Sequence, residues 1–190
     1  MVPDPRVVRA RLEQAGARLG FHGMMSDVRY DRDGELVGRD EVLRLREYHH
    51  PGGRLETILG WKGATRISAE GYKTRPELEY EVNARTAPPA ELLEALGFRR
   101  IHTVDRYVEY YHLETAVLRL EWYPRMDVLI EIEGDADGIE AGLRVVGLPR
   151  EEFTADPLTV FAARFAARTG TPPILSAAEL AGAPPGWSAP

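Results

Sequence analysis

A chain of 190 residues is long enough for one domain with a hydrophobic core, or for a domain and a tail. With 44% hydrophobic and 28% charged residues it has a globular composition, and the lack of cysteine excludes disulfides and thiolate metal sites. The net charge of −6 argues against general affinity for nucleic acid, and no apolar run could cross a membrane. We therefore expect a cytoplasmic protein with neither a nucleic-acid nor a membrane partner.

Four segments have the capping residues and the apolar spacing of amphipathic helices. The first has Asp4 as its N-cap, Pro5 at its first position and Gly16 beyond its end. The others are PPAELLEALGF, DADGIEAGLRVVGL and DPLTVFAARFAARTG. Pro, Gly and Ala then dominate the sequence, which predicts one domain over residues 1–170 and a flexible tail over residues 171–190.

Seven strand-like runs lie between these helices, at residues 25–31, 42–48, 56–62, 72–82, 101–111, 116–122 and 128–133. Several of them alternate charged with apolar residues, which puts the charges on one face of a strand. The clearest are GYKTRPELEYEV, VLRLRE, LRLEW and LIEIE. Pro76 interrupts the first of these because proline cannot donate to a strand ladder, and it indicates a bulge or an edge there.

These charged faces have two explanations. An antiparallel sheet with one face in water would show the same alternation. Alternatively, helices packed outside a curled sheet would leave the charges pointing inward. The charges are concentrated and of both signs, with few Ser, Thr or Gln residues among them, and four amphipathic helices need an apolar surface to cover. We therefore favour an α+β fold: an antiparallel closed β-barrel with a charged interior and flanking helices.

A polar interior of this kind would suit a polyphosphate with its divalent metal. The basic candidates for phosphate oxygens are Arg44, Arg46, Lys62, Lys73, Arg75 and Arg106. The carboxylates suited to Mg²⁺ or Mn²⁺ are Glu79, Glu131 and Glu133. The alternative is a set of cross-strand salt bridges, with Glu131 and Glu133 paired to Arg106 or Arg119.

Six pieces of the sequence, between about residues 27 and 134, follow one another in a recognisable order. They are YDRDGEL, DEVLRLR, WKG, KTRPELEYEV, LLEALGF and VLIEIEG. Together they resemble the CYTH domain of class IV adenylyl cyclases and thiamine triphosphatases, also called triphosphate tunnel metalloenzymes. The resemblance implies an eight-stranded antiparallel closed tunnel flanked by helices. It also implies a Mg²⁺- or Mn²⁺-dependent enzyme whose substrate is ATP, thiamine triphosphate or tripolyphosphate.

The resemblance also assigns individual residues. The positions that hold the triphosphate in the family correspond to Arg44, Arg46, Lys62 and Arg106. The metal-binding positions correspond to Glu79, Glu131 and Glu133. Glu121 stands where the family has an aspartate, and with Lys62 and Arg106 it completes the set of candidate catalytic residues. Three functions stay open: cyclisation of ATP to cyclic AMP and pyrophosphate, hydrolysis of an organic or inorganic triphosphate, and binding of a polyphosphate or nucleotide with little or no turnover. A homodimer is among the open oligomeric states.

One departure from the family concerns its first strand, which carries an ExExK motif with metal and phosphate ligands. This chain opens with Met1-Val2-Pro3-Asp4, directly at the first helix, so that strand is missing. We expect the reading frame to begin upstream. An open or self-compensated barrel with reduced activity is the alternative.

Overall fold

The computed structural model describes residues 1–82 and 88–186. Its helices are α1 (Pro5–Gln14), α2 (Glu35–Gly38), α3 (Pro89–Ala95), α4 (Ala136–Val146) and α5 (Leu158–Thr169). Its strands are β1 (Arg18–Asp31), β2 (Val42–His49), β3 (Leu55–Lys62), β4 (Arg66–Ile67), β5 (Lys73–Thr74), β6 (Glu77–Glu81), β7 (Arg99–Leu113), β8 (Ala116–Trp122) and β9 (Leu129–Glu133). None of the helices in these two ranges is both long enough and apolar enough to cross a lipid bilayer.

The chain forms two compact units. The first consists of Met1–Gly23 and Arg106–Pro190, and the second of Met24–Asp105. The strand pairs whose register is defined, β1–β2, β2–β3, β3–β6, β4–β5, β7–β8 and β8–β9, are all antiparallel. The predicted α+β class with an antiparallel sheet is therefore confirmed.

In the first unit the strand order is β1-β7-β8-β9. Helix α1 begins where the sequence predicts, because the Asp4 carboxylate accepts the backbone N–H of Arg6 at 3.0 Å and Pro5 follows the cap. The buried side chains of α1, α4 and the sheet form one apolar core. Its members include Val8, Leu12, Tyr111, Leu118, Leu120 and Val146. Arg106 of β7, the two charged residues of β8 and the two glutamates of β9 lie on the opposite face of the sheet.

In the second unit the strand order is β6-β3-β2-β1-β7, and β4 and β5 form a separate two-stranded sheet. Its apolar core contains Tyr30 of β1, Leu45 of β2 and Leu93 of α3. Leu92 and Leu96, which are apolar residues of the same predicted helical segment as Leu93, are exposed. Here too the two arginines of β2, Arg44 and Arg46, lie on the sheet face opposite the core.

The run of residues 72–82, which the alternation predicted as one strand, is two strands, β5 and β6. Pro76 lies between them, and its carbonyl accepts the backbone N–H of Gly63 at 2.8 Å. The interruption predicted at Pro76 is therefore confirmed, and β6 is an end strand of its unit. For the residues that the structure describes, the strand order of neither unit returns to its first strand.

The segment after α5 packs against other parts of the first unit. The backbones of Ile174 and Arg125 exchange two hydrogen bonds of 3.0 and 2.9 Å, and the N–H of Gly186 donates to the carbonyl of Pro124 at 2.7 Å. Ile174 and Ser176 are buried. Hydrogen bonds and burial of this kind stabilise a segment that composition alone predicts to be flexible.

We expect replacement of Ile174 by alanine to lower the free energy of unfolding by about 2 kcal/mol, because a buried side chain leaves a cavity. Urea unfolding followed by circular dichroism measures the change. Leu92→Ala is the matched control, since Leu92 is exposed and its loss should change stability by less than about 0.5 kcal/mol. Equal effects of the two replacements would support the flexible tail instead.

Candidate functional site

Several charged side chains on the sheet faces opposite the two cores are buried. On the face opposite the second unit's core, Arg44, Arg46 and Asp27 are as buried as core leucines. In the first unit the same holds for Arg106 and for two of the charged residues of β8. A sheet face open to water would leave such side chains exposed. This burial argues against the solvent-exposed alternative and in favour of an enclosed polar environment for these residues.

Arg46 of β2 forms a buried, bidentate ion pair with Asp27 of β1. Its Nε and Nη2 donate to the two carboxylate oxygens at 2.8 and 2.9 Å, and its Nη1 donates to the Tyr48 hydroxyl at 3.2 Å. The antiparallel register places Asp27 directly opposite Arg46. Sequence reasoning missed Asp27, although its place on the charged side of β1 was a usable signal.

Arg44, two residues earlier on the same face, pairs with Glu79 of β6. Its Nη2 donates to Oε1 of Glu79 at 2.8 Å. Gly60 of β3 lies between them in register, and a Cβ there would stand 3.4 Å from Nε of Arg44 and 3.5 Å from Oε1 of Glu79. Burial alone would raise the pKa of Glu79. The hydrogen bond from Arg44 and the charges of Arg44, Arg46 and Lys62 bring that pKa below its usual range.

Lys62, at the end of β3, donates to Oε1 of Glu77 at 2.7 Å. The phosphate-binding trio predicted from the sequence, Arg44, Arg46 and Lys62, therefore lies on neighbouring strands of one unit. Each of the three cations is held by a carboxylate, and the sequence identified only one of the three carboxylates as functional. The side chains of Glu77 and Glu79 are 39% and 43% exposed, so both have room to move away from their partners.

Arg75 and Lys73 lie in a different part of this unit. Arg75 donates through Nε to the carbonyl of Gly63 and through Nη2 to the carbonyl of Asp40, both at 2.7 Å. It therefore holds the loop that follows β3. Lys73 is exposed in β5. The structure thus assigns Arg75 a role in positioning the loop next to Lys62, and phosphate binding by Lys73 and Arg75 stays a prediction.

In the first unit, Arg106 of β7 lies beside Glu121 of β8, with Nε 3.3 Å from Oε1. The hydroxyl of Tyr123 donates to Oε2 of Glu121. All three side chains are buried. Burial and the charge of Glu121 raise the pKa of Tyr123 well above its usual range, so its hydroxyl stays protonated and able to donate. Sequence reasoning proposed Arg106 and Glu121 and missed Tyr123.

Arg119 of β8 holds both predicted metal ligands of β9. Its Nη2 lies 2.6 Å from Oε2 of Glu131 and 2.7 Å from Oε1 of Glu133, and its Nη1 donates to the Tyr110 hydroxyl at 3.3 Å. Burial would lower the pKa of Arg119, but Glu131, Tyr110 and Glu133 raise it well above its usual value, so it stays charged. This is the salt-bridge arrangement that the sequence left open, with Arg119 as the partner.

The carboxylates of Glu131 and Glu133 are hard oxygen donors on one strand face, which suits Mg²⁺ or Mn²⁺. Their side chains are 49% and 47% exposed, so they can reach an ion in solution. Within residues 1–82 and 88–186, no three His, Cys, Asp or Glu side chains form a metal-binding group. The two carboxylates thus have the donor chemistry for a divalent ion, but such an ion would have to compete with Arg119 for them.

No family model matches this chain, and no curated protein matches it significantly. A solved protein from Pyrococcus horikoshii OT3 is 24% identical, with 82% of this chain and 92% of that chain covered and a TM-score of 0.65. A candidate adenylate cyclase from Vibrio parahaemolyticus is 14% identical, with 85% and 93% covered and a TM-score of 0.68. A candidate adenylyl cyclase from Hippeastrum, described as having a dominant triphosphatase activity, is 18% identical, with 86% and 92% covered and a TM-score of 0.59. The chain has the fold of these proteins, which confirms the CYTH-like fold predicted from its sequence.

Proposed function

We propose that this chain is a metal-dependent enzyme that acts on triphosphates, with hydrolysis of an organic or inorganic triphosphate as its main reaction. The observation that carries the proposal is the burial of Arg44 and Arg46 next to Lys62 on one sheet face. Burying cations costs free energy, and ion pairing offsets that cost only in part. Binding of an anionic ligand would explain why the protein has such a cluster. Guanidinium groups match phosphate oxygens bidentately. The closed tunnel implied by the resemblance is part of this proposal.

The reported activities of the fold relatives support one order of the candidate reactions. The Hippeastrum protein is described as having a dominant triphosphatase activity despite being a candidate cyclase, which favours hydrolysis here as well. Cyclisation of ATP is the second candidate because the Vibrio parahaemolyticus protein is a candidate adenylate cyclase. Binding of a polyphosphate without turnover is the third.

The ion pairs indicate how a triphosphate would enter. Glu79 and Glu77 are partly exposed and can turn into solvent, so phosphate oxygens can replace them on Arg44 and Lys62. Asp27 is buried and stays on Arg46. In the free protein the two glutamates thus bind the cationic groups that would bind the phosphates in the complex. Arg46 keeps its orientation throughout because Asp27 binds both its Nε and its Nη2.

A bound Mg²⁺ or Mn²⁺ would neutralise phosphate charge and polarise a phosphorus–oxygen bond. The family resemblance assigns Glu79, Glu131 and Glu133 to such an ion. The remaining contribution of this chain is electrostatic: Arg44, Arg46 and Lys62 orient the phosphates and stabilise the charge that develops on them. Arg106, in the first unit, is the fourth cation assigned to the phosphates. Glu121 beside it is the candidate for hydrogen bonding to the reacting group.

The direct test is product analysis with purified protein. Tripolyphosphate, thiamine triphosphate and ATP are each incubated with Mg²⁺ or Mn²⁺, and orthophosphate, pyrophosphate and cyclic AMP are measured. We expect metal-dependent release of orthophosphate. Cyclic AMP as the main product would move the assignment to cyclisation. Tight binding of tripolyphosphate without any product would support the binding protein, and neither binding nor turnover would refute the proposal.

We expect Glu79→Gln to change the affinity for tripolyphosphate in opposite directions without metal and with Mg²⁺. Without metal, the replacement removes a competing carboxylate from Arg44, so tripolyphosphate should bind severalfold tighter, as expected for a charge-assisted contact. With Mg²⁺ it removes a metal ligand, so binding should weaken. Isothermal titration calorimetry measures both affinities. Glu77→Gln is the matched control and should tighten binding in both conditions. A Glu79→Gln protein that behaves like Glu77→Gln would show that Glu79 is only a counterion.

A further inference from the structure

Two buried tyrosine–glutamate pairs lie on opposite faces of the first unit's sheet, and their hydrogen bonding differs. On the core face, Tyr111 donates to Oε2 of Glu109 at 3.1 Å. Arg9 donates to the same carboxylate through Nη2 to Oε1 at 2.6 Å and through Nε to Oε2 at 3.1 Å. Both oxygens of Glu109 are therefore satisfied by this chain.

On the charged face, the carboxylate of Glu121 is only half satisfied. Tyr123 donates to Oε2, whereas Oε1 is buried and accepts no hydrogen bond from the described residues. The Nε of Arg106 is 3.3 Å from Oε1, which is an ion-pair distance without hydrogen-bond geometry. A buried acceptor left in this state is unfavourable for folding, and such groups in native proteins call for an explanation in terms of function or an absent ligand.

Tyr123 is itself held firmly. Its ring is buried, and the guanidinium carbon of Arg106 lies 5.9 Å from the ring centroid. The next residue, Pro124, is buried and accepts the backbone N–H of Gly186, and the residue after that pairs with Ile174. The hydroxyl therefore has little freedom, and the carboxylate oxygen that it binds is fixed in turn.

We propose that Tyr123 is a positioning residue for Glu121: its hydroxyl holds Oε2 and thereby keeps Oε1 available to accept a hydrogen bond from the substrate or from its nucleophile. The inference rests on the proposed function, because it takes Glu121 to contact the reacting group. It goes beyond that function by assigning the orientation of Glu121 to one hydroxyl. The fully satisfied Glu109 pair shows what a purely structural arrangement looks like in the same unit.

The test compares Tyr123→Phe with Tyr111→Phe, which removes the same atom from the other buried pair. Steady-state kinetics with tripolyphosphate and Mg²⁺ give kcat and KM for each variant, and circular dichroism checks the fold. We expect Tyr123→Phe to lower kcat at least tenfold with KM changed less than threefold, because orientation of a reacting group acts mainly in the transition state. Tyr111→Phe should leave kcat within twofold of the unmodified protein.

A second pair of variants tests whether Tyr123 acts through Glu121. Adding Tyr123→Phe to Glu121→Gln should change kcat less than twofold, since the oriented carboxylate is already gone. Glu121→Asp moves the carboxylate away from the hydroxyl with both charge and Tyr123 kept, and should reproduce the loss in kcat. It serves in place of Tyr123→Phe if that variant fails to fold.

The possible outcomes distinguish failure of the proposed function from failure of the inference about Tyr123. An unmodified protein with no triphosphate turnover refutes the proposed function, and the inference with it. An active unmodified protein together with a fully active Tyr123→Phe refutes only the inference. The inference is also overturned if Tyr123→Phe lowers kcat equally in the presence and absence of Glu121, or if Tyr111→Phe lowers it as much.

Discussion

Replacement of Arg46 by alanine should lower the free energy of unfolding by about 3–5 kcal/mol, the cost of leaving a buried charge without its partner. The charge in question is Asp27, which is buried and receives two hydrogen bonds from Arg46. Arg44 offers little compensation, since its Nε is 3.8 Å from Asp27 and its Nη2 is engaged with Glu79. Urea unfolding followed by circular dichroism measures the loss.

Two controls identify the cause of this effect. Arg39→Ala breaks the ion pair with Glu41, in which Arg39 is exposed, and should leave the free energy of unfolding almost unchanged. The double replacement Asp27→Leu with Arg46→Met removes both buried charges and should be less destabilising than Arg46→Ala alone. If Arg46→Ala proves as mild as Arg39→Ala, the buried pair contributes nothing to the fold.

Lys62→Ala should behave differently from Arg46→Ala, although both residues are assigned to the same phosphate. Glu77, the partner of Lys62, is 39% exposed and can be solvated when the lysine is lost, so stability should change little. Binding of tripolyphosphate should weaken by about 1.5–3 kcal/mol, the contribution of one charge-assisted contact. Unchanged binding by Lys62→Ala would refute its assignment to the phosphate.

The second large effect is expected from Glu131→Gln combined with Glu133→Gln, which should destabilise the protein by about 3 kcal/mol. The two carboxylates neutralise Arg119, whose side chain is only 8% exposed. The reverse change, Arg119→Met, leaves two glutamates that are 49% and 47% exposed and can be solvated. We therefore expect Arg119→Met to be the milder replacement, and chemical unfolding of both proteins measures the difference.

This asymmetry changes how the metal assignment must be tested. From the sequence we expect the double glutamine protein to lose Mg²⁺-dependent ligand binding with its fold intact. The burial of Arg119 predicts that the fold is weakened too. Glu133→Gln alone keeps one carboxylate on the arginine through Glu131 and is the sharper probe of metal binding. A double variant as stable as the unmodified protein would show that Arg119 does not need these carboxylates.

Most helices and strands, and the residue types of the site, could be predicted from the sequence because they depend on near neighbours in the chain. Asp4 and Pro5 begin a helix through contacts within one turn. The alternation in VLRLRE and LIEIE puts Arg44 with Arg46, and Glu131 with Glu133, on one strand face whatever else the chain does. Pro76 interrupts its strand for an equally local reason, the missing donor.

Which charges meet, and how deeply they are buried, depends on the packing of distant segments and could not be predicted from the sequence. Arg46 reaches Asp27 across 19 residues, and Arg44 reaches Glu79 across 35. Neither pairing follows from alternation, since strand register depends on turns and core packing that bring distant segments side by side. The same holds for Tyr123: its role depends on one unsatisfied oxygen of Glu121, and satisfaction is a property of the packed site. Local periodicity selects the face of a strand, whereas the partners on that face come from the fold.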